Sequence, residues 1–381
     1  MRLTKPVGPI LQSFQKKTDM ETFSVTERKV AKREENSGPE AFFGKLHSSF
    51  LRGVKAAGGA IEHFFDMGGF KIRLCFAGSA MVPLITRALK HLECEPDSNS
   101  VLTICLWDSR STGIGIPPPP WSQDDYLKRG EIGGYYDEHI YTHYDLYTGI
   151  LSMLDLRQNI ALYWLRDAQE FFYFETGAPL LTILNWWMGS HGKQMVHAAA
   201  VGTAAGGFLL VGKSGSGKSS TALACLDSKL FYAGDDHCFV ETKPTPYAYS
   251  IFCSGKLSPK DFGRFPFLHE PLRHAKQPYG EKALFFLQEF FPQKIAKGFP
   301  VKAIFIPRIT TSSETQIKKT SAAASLTALA PSTIFQLPHA GHEAFSFLSA
   351  FVKQVPAYTL ELGTDVSGIT RAIENFLLVR G

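Results

Sequence analysis

A chain of 381 residues, 44% hydrophobic and 20% charged, has the make-up of an ordinary globular protein and is long enough for two domains. Its formal charge of +5 comes without a dense Lys/Arg stripe interleaved with aromatics, which argues against nucleic acid as a partner. Six cysteines (Cys75, Cys94, Cys105, Cys225, Cys238 and Cys253) form no CxxC pair and mostly lie in apolar runs, which argues against a zinc or disulfide scaffold.

Residues 1–40 are polar without a sustained hydrophobic period, and the run "TERKVAKREE" (26–35) mixes both signs of charge. Residues 1–59 therefore read as a poorly ordered or helical tail. No apolar leader region opens the sequence and no stretch holds 18 uninterrupted apolar residues, so the expectation is a cytoplasmic protein without a membrane partner. Strand-like alternation appears in "FKIRLCFAG" (70–78), helical spacing in "MVPLITRALKHL" (81–92), and strand-like spacing again in "VLTICLWDS" (101–109). "GIGIPPPPW" (113–121) must be a loop. Aromatic-rich strands are predicted within 135–175, including "QNIALYWL" (158–165) and "EFFYFET" (170–176), so 60–177 reads as an α+β N-terminal domain.

The apolar segment 178–190 predicts a buried connecting helix. "MVHAAAVG" (195–202) and "GFLLVG" (207–212) are strands separated by a hairpin-sized gap. A helix over 218–227 follows, then strands "KLFYAG" (229–234), "AYSIFCSG" (248–255) and "VKAIFIPRI" (301–309). Ser321 is placed as N-cap of a helix over 321–330, and the chain closes with helix 343–353, strand 357–362 and helix 366–378. The segment 256–300 carries many prolines, glycines and cations with little regular pattern, which suggests a lid over an acceptor.

Gly212-Lys213-Ser214-Gly215-Ser216-Gly217-Lys218-Ser219 fits G-x-x-x-x-G-K-[ST]. Glycines at these positions let successive backbone N–H groups turn toward phosphate oxygens, and the following helix points its positive end at the same anion. Gly212, Ser214, Gly215, Ser216, Gly217, Lys218, Ser219 and Ser220 are the expected phosphate-binding residues, with Lys218 reaching the β/γ-phosphates and the Ser219 hydroxyl on Mg²⁺. A glycine-rich turn ahead of a helix is the plain alternative; the strand before and helix after tell against it. A dinucleotide fingerprint fails because Ser220 stands where its third glycine would be.

Two carboxylates, Asp235 and Asp236, end the strand 229–234 close in sequence to the loop. Phosphoryl transfer needs metal neutralisation and a base beside the acceptor hydroxyl, and neighbours on a strand face opposite ways, so the pair can divide these jobs. His197, His237, Lys256, Glu281, Lys282 and Arg308 are further charged or titratable candidates.

"VHAAAVG", "GKSGSGKSS" and "AGDDHCFV", in that order, resemble the core of HPr kinase/phosphorylase, and "GDDHC" looks like the paired-aspartate motif of the related phosphoenolpyruvate carboxykinases. The resemblance spans residues 190–310. The wider layout, with the tail "LAPSTIFQLP…VPAYTLELG", is similar to HPr-kinase-related proteins that accompany peptide-modifying enzymes, including lasso-peptide kinases. The resemblance implies an α/β P-loop kinase domain with a mixed sheet over 178–381. It also implies ATP and Mg²⁺ as cofactors, a serine/threonine hydroxyl of a peptide or small protein as acceptor, and, by family analogy alone, an oligomer. It implies His197, Lys218 and Asp235 as catalytic, with Asp235 the base and Asp236 beside Ser219 as metal ligand; the two aspartates can also be exchanged. No counterpart of the family's phosphorylase signature follows residue 260. A small-metabolite kinase and a non-catalytic nucleotide-binding regulator are the alternatives.

Overall fold

The computed structural model describes residues 38–335 and 341–380. The alternation of apolar side chains builds the first sheet from β1 (Ala60–Met67), β2 (Phe70–Ala77), β3 (Leu102–Asp108), β4 (Ile140–Tyr144), β5 (Leu151–Asp155) and β6 (Ile160–Leu165), in the order β1-β2-β3-β6-β5-β4. β2, β3 and β6 run parallel and the outer pairs antiparallel, so the sheet is mixed. Ile72, Leu74, Phe76, Ile104 and Leu106 point to one face, while Ala77, Cys105 and Trp107 point to the other. Helix α1 (Pro39–Ala56) covers the Trp107 face through Phe42, Phe43, Leu46 and Phe50. Helix α2 (Val82–Leu89) lies in the opposite core, and a short α3 (Ser109–Thr112), capped by Asp108, follows β3.

Helix α4 (Leu181–Ser190) joins this core to the second sheet: Trp187 and Met188 share one apolar cluster with Leu74, Met195, Phe239 and Phe252. The second sheet contains β7 (Gln194–Val196), β8 (Ala199–Thr203), β9 (Gly206–Leu210), β10 (Phe231–Gly234), β11 (Cys238–Glu241), β12 (Tyr247–Tyr249) and a central β15 (Gly298–Ile309), with helix α5 (Lys218–Ala224) between β9 and β10 in the chain. Its order is β10-β8-β9-β15-β12-β11-β7. A side ladder β13 (Ser254–Leu257) with β14 (Ala283–Phe286) encloses α6 (His269–Arg273), and β16 (Gln316–Thr320) with β17 (Ala357–Leu362) extends the sheet beside β15. Helices α7 (Ala322–Ile334) and α8 (His342–Gln354) pack on one face, and α5 with α9 (Val366–Arg380) on the other. β9 and β15 are parallel, with antiparallel pairs at β8–β9 and β12–β15, so this sheet is mixed as well.

The β8–β9 hairpin, the Ser321 N-cap (its Oγ accepts from the Ala324 N–H) and strand 357–362 match expectation. Four boundaries differ. "EFFYFET" is no strand: Asp167 caps a 3₁₀ turn at Ala168–Glu170 and a second follows at Glu175–Gly177. Its residues 171–175 are all half-buried, so the period-2 contrast of a one-faced strand is missing. The run 195–202 breaks at His197–Ala198, because β7 pairs with β11 while β8 pairs with β9 and β10. Residues 248–255 divide likewise into β12 and β13, and the helix after the loop becomes 3₁₀ at Cys225–Asp227. Residues 256–300 are more regular than the sequence suggests, since they contain the β13–β14 ladder and α6. The polar tail to residue 37 lies outside the described residues, and α1 begins directly after it.

Candidate functional site

β9 and α5 flank the glycine loop, so the strand–loop–helix context is met. Gly212, Gly215 and Gly217 have φ of 145°, 79° and 104°, a region that L side chains avoid. At Gly217 the requirement is also steric, because a Cβ would lie 2.5 Å from Leu362 Cδ1. Lys218 is 5% exposed and donates to the Gly212 carbonyl at 2.6 Å and the Lys213 carbonyl at 3.3 Å. Burial lowers its pKa, partly opposed by the charges of Asp235 and Asp236.

β10 delivers the two aspartates into a tight turn. The Asp236 N–H donates to Asp235 Oδ1 at 2.9 Å, the His237 N–H donates to the Asp235 carbonyl at 2.9 Å, and Asp236 itself sits at φ 67°. This turn sends the carboxylates apart. Asp235 is 4% exposed, and its Oδ2 accepts no hydrogen bond of ordinary geometry, although the Ser219 hydroxyl is near enough to favour its ionised form. Burial and then the Asp236 charge push Asp235 up to about 7. Asp236 is half-buried and lines a cleft. Burial alone would raise its pKa, but the Lys256 ammonium 3.0 Å from Oδ2, followed by the interaction with His197, outweighs that and holds it well below the carboxylate range.

His197 occupies the break between β7 and β8, where its backbone N–H donates to Thr333 Oγ1 at 3.1 Å. Its Nε2 lies 3.6 Å from Asp236 Oδ1, and its ring is 5.5 Å from that of His237. Burial, then the neighbouring His197, lowers His237 to about 3, so it is neutral at working pH.

Several of these groups border one cleft of ≈ 230 Å³. Of the predicted residues, His197, Ser214, Gly215, Gly217, Lys218, Ser219 and Ser220 line it, as do Asp236, Lys256 and Lys282. Gly212 and Ser216 sit in the loop but outside the lining, and Asp235, which is buried, and His237 are not part of it. Glu281 turns aside to accept from the Tyr173 hydroxyl at 3.2 Å, and Arg308 is not part of the wall. Sequence reasoning missed an apolar wall of Ile309, Leu362, Val366 and Ile369, and a charged turn with Lys260, Asp261 and Arg264. The 69% exposure of Ile309 at the end of β15 is unusual for such a residue, but nothing local in the sequence announces it.

Among the described residues, no group of three or more His, Cys, Asp or Glu side chains is arranged to hold a metal ion, and no helix is long and apolar enough to cross a membrane. No protein-family model matches the chain, and no curated protein matches it. Among solved structures, the Hpr(Ser) kinase/phosphatase from Coxiella burnetii is similar over 49% of this chain and 97% of its own, at 10% identity and a TM-score of 0.29. A likeness of that extent carries no argument about activity.

Proposed function

We propose that the chain is an ATP- and Mg²⁺-dependent phosphotransferase that moves the γ-phosphoryl group to a serine or threonine hydroxyl of a peptide or small protein. The observation that supports this most is the division of the aspartate pair at the phosphate loop: one carboxylate buried against Ser219, the other presented to the cleft beside Lys256 and His197. Binding a nucleotide needs the loop and a cation alone; a second, cleft-facing carboxylate is what a transfer reaction adds.

The geometry favours exchanging the roles that the family pattern assigns to the two aspartates. Asp236 is the one an acceptor hydroxyl can reach, so it is proposed as the group that takes the proton. Asp235, with an unpartnered oxygen beside Ser219, is proposed to orient the Ser219 hydroxyl and a metal-bound water. Such a donor set fits Mg²⁺, which keeps waters and phosphate oxygens and needs only one or two protein ligands. When bound, the cation neutralises charge on the transferring phosphoryl group. Lys218, already held at the loop by two carbonyls, supplies a cation toward the phosphates, and Lys256 and His197 keep Asp236 ionised and fixed. The 178–381 segment is proposed as the kinase domain and 60–177 as a region that helps to dock the acceptor.

Incubation with Mg²⁺ and γ-labelled ATP together with serine- and threonine-containing peptides tests this. Label on a peptide hydroxyl supports it; bound ATP that never reaches any hydroxyl counts against it.

A further inference from the structure

The cleft is more basic than its phosphate loop requires. Besides Lys218, it is lined by Lys256, Lys260, Arg264 and Lys282, against two lining carboxylates, Asp236 and Asp261. Asp236 is engaged by Lys256 at 3.0 Å and Asp261 by Arg264 at 3.6 Å. Lys260 and Lys282 form no ion pair among the described residues, and the carboxylate next to Lys282, Glu281, is drawn away by the Tyr173 hydroxyl.

This is an anchored wall rather than a solvated charge run. β13 and β14 pair with Lys256 opposite Leu284 and Leu257 opposite Ala283, which brings the start of β14, and Lys282 before it, beside the end of β13. The 3₁₀ turn Pro259–Arg264 leaves β13 directly and carries Lys260 and Arg264. Leu257 and Phe265, each 1% exposed, pin the turn at both ends in the core shared with α5.

A bound triphosphate repels any second anion in the same cleft, so an acceptor that carries negative charge can approach only where fixed cations offset that field. We infer that the Lys256–Lys260–Arg264–Lys282 wall is the acceptor subsite, and that it selects a hydroxyl lying a few bonds from a carboxylate or phosphate group. This rests on the phosphotransferase reading. In the transfer, the acceptor oxygen bonds to the γ-phosphorus as the bond to the β-phosphate bridging oxygen breaks. The hydroxyl proton goes to Asp236, and ADP leaves with the bridging electron pair.

The same anion can come from an acidic residue beside a serine or from a small hydroxy acid, and the assay carries both. With the full chain, Mg²⁺ and γ-labelled ATP, transfer is compared among serine peptides flanked by Asp/Glu, by Gln/Ser and by Lys, together with glycerate and glycerol. Preference for the acidic peptides or for glycerate over its neutral counterpart supports the inference and identifies the source. The exposed Lys260→Glu and Lys282→Glu variants should each raise the acceptor KM about tenfold, with the ATP KM changed less than about threefold. Equal use of neutral and anionic acceptors overturns the inference alone, as does a parallel rise in both KM values, which would assign the cations to the nucleotide. Failure to bind ATP at all overturns the phosphotransferase reading and this inference with it.

Discussion

Lys256 Nζ lies 3.0 Å from Asp236 Oδ2, and the two come from different ladders, β13 and the turn after β10. The contact ties the basic wall to the carboxylate that faces the cleft. It is also the largest cause keeping Asp236 ionised against its own burial.

Removing that cation should therefore alter the pH dependence of transfer as well as its rate. With Asp236 held below the ordinary range, its ionised form persists into mild acid. In Lys256→Met, burial loses its largest opposing cause, the carboxyl pKa rises, and the acidic limb of the kcat/KM profile moves to higher pH. A fall of about 10²-fold in kcat/KM at neutral pH should accompany it. Rate profiles of both proteins between pH 5 and 9 check this; an unmoved acidic limb counts against the pairing.

Asp235 gives a stability test of opposite sign. Its folded pKa, about 7, stands above the ordinary carboxylate value because burial penalises the charge. Its contribution to stability is thus fully present below the unfolded pKa near 4 and is lost as pH rises through about 7. Asp235→Asn does not titrate. The melting temperature of the unaltered protein relative to that variant should fall between about pH 4 and pH 7, and a gap constant with pH would contradict the burial argument.

Gly217→Ala should damage both loop and fold. The residue sits at φ 104°, and an added Cβ would approach Leu362 Cδ1 to 2.5 Å. Backbone strain of about 1–2 kcal/mol plus the clash should lower the melting temperature by several degrees and weaken nucleotide binding. A Leu362→Ala background relieves the clash but not the strain, so thermal scans of the single and double variants should show partial rescue.

Lys218→Met keeps the length of the side chain and removes the ammonium held by the Gly212 and Lys213 carbonyls. Transfer should fall by about 10²-fold or more, with the melting temperature little changed because the methylene stem still fills its buried position. Single-turnover transfer measured beside circular dichroism separates the two effects.

The conformation of the glycine loop was legible because it is local: three glycines adopt positive φ values that the motif favours, between a strand and a helix that the pattern also supplies. The aspartate pair was legible for the same reason. How the pair divides was not, because it depends on Asp236 entering a left-handed conformation and on where Lys256 arrives from β13. The break at His197 was hidden in an unbroken apolar run, since two strand positions in one sheet draw on the same stretch. The apolar wall joins Ile309 at the end of β15 to Leu362 at the end of β17 and Val366 in α9, a meeting that the parallel β15–β17 pairing creates. Lys260 and Arg264 fall in a segment that reads as irregular, although Leu257 and Phe265 fix it in place.

The most direct test compares Asp236→Asn with Asp235→Asn in one transfer assay over a Mg²⁺ titration. Asp236→Asn should bind ATP with near-normal affinity yet transfer no label at any Mg²⁺ concentration. Asp235→Asn should retain residual transfer that recovers as Mg²⁺ is raised. The reverse pattern, with Asp236→Asn rescued by Mg²⁺ and Asp235→Asn inert, would contradict the assignment of Asp236 as the residue that meets the acceptor.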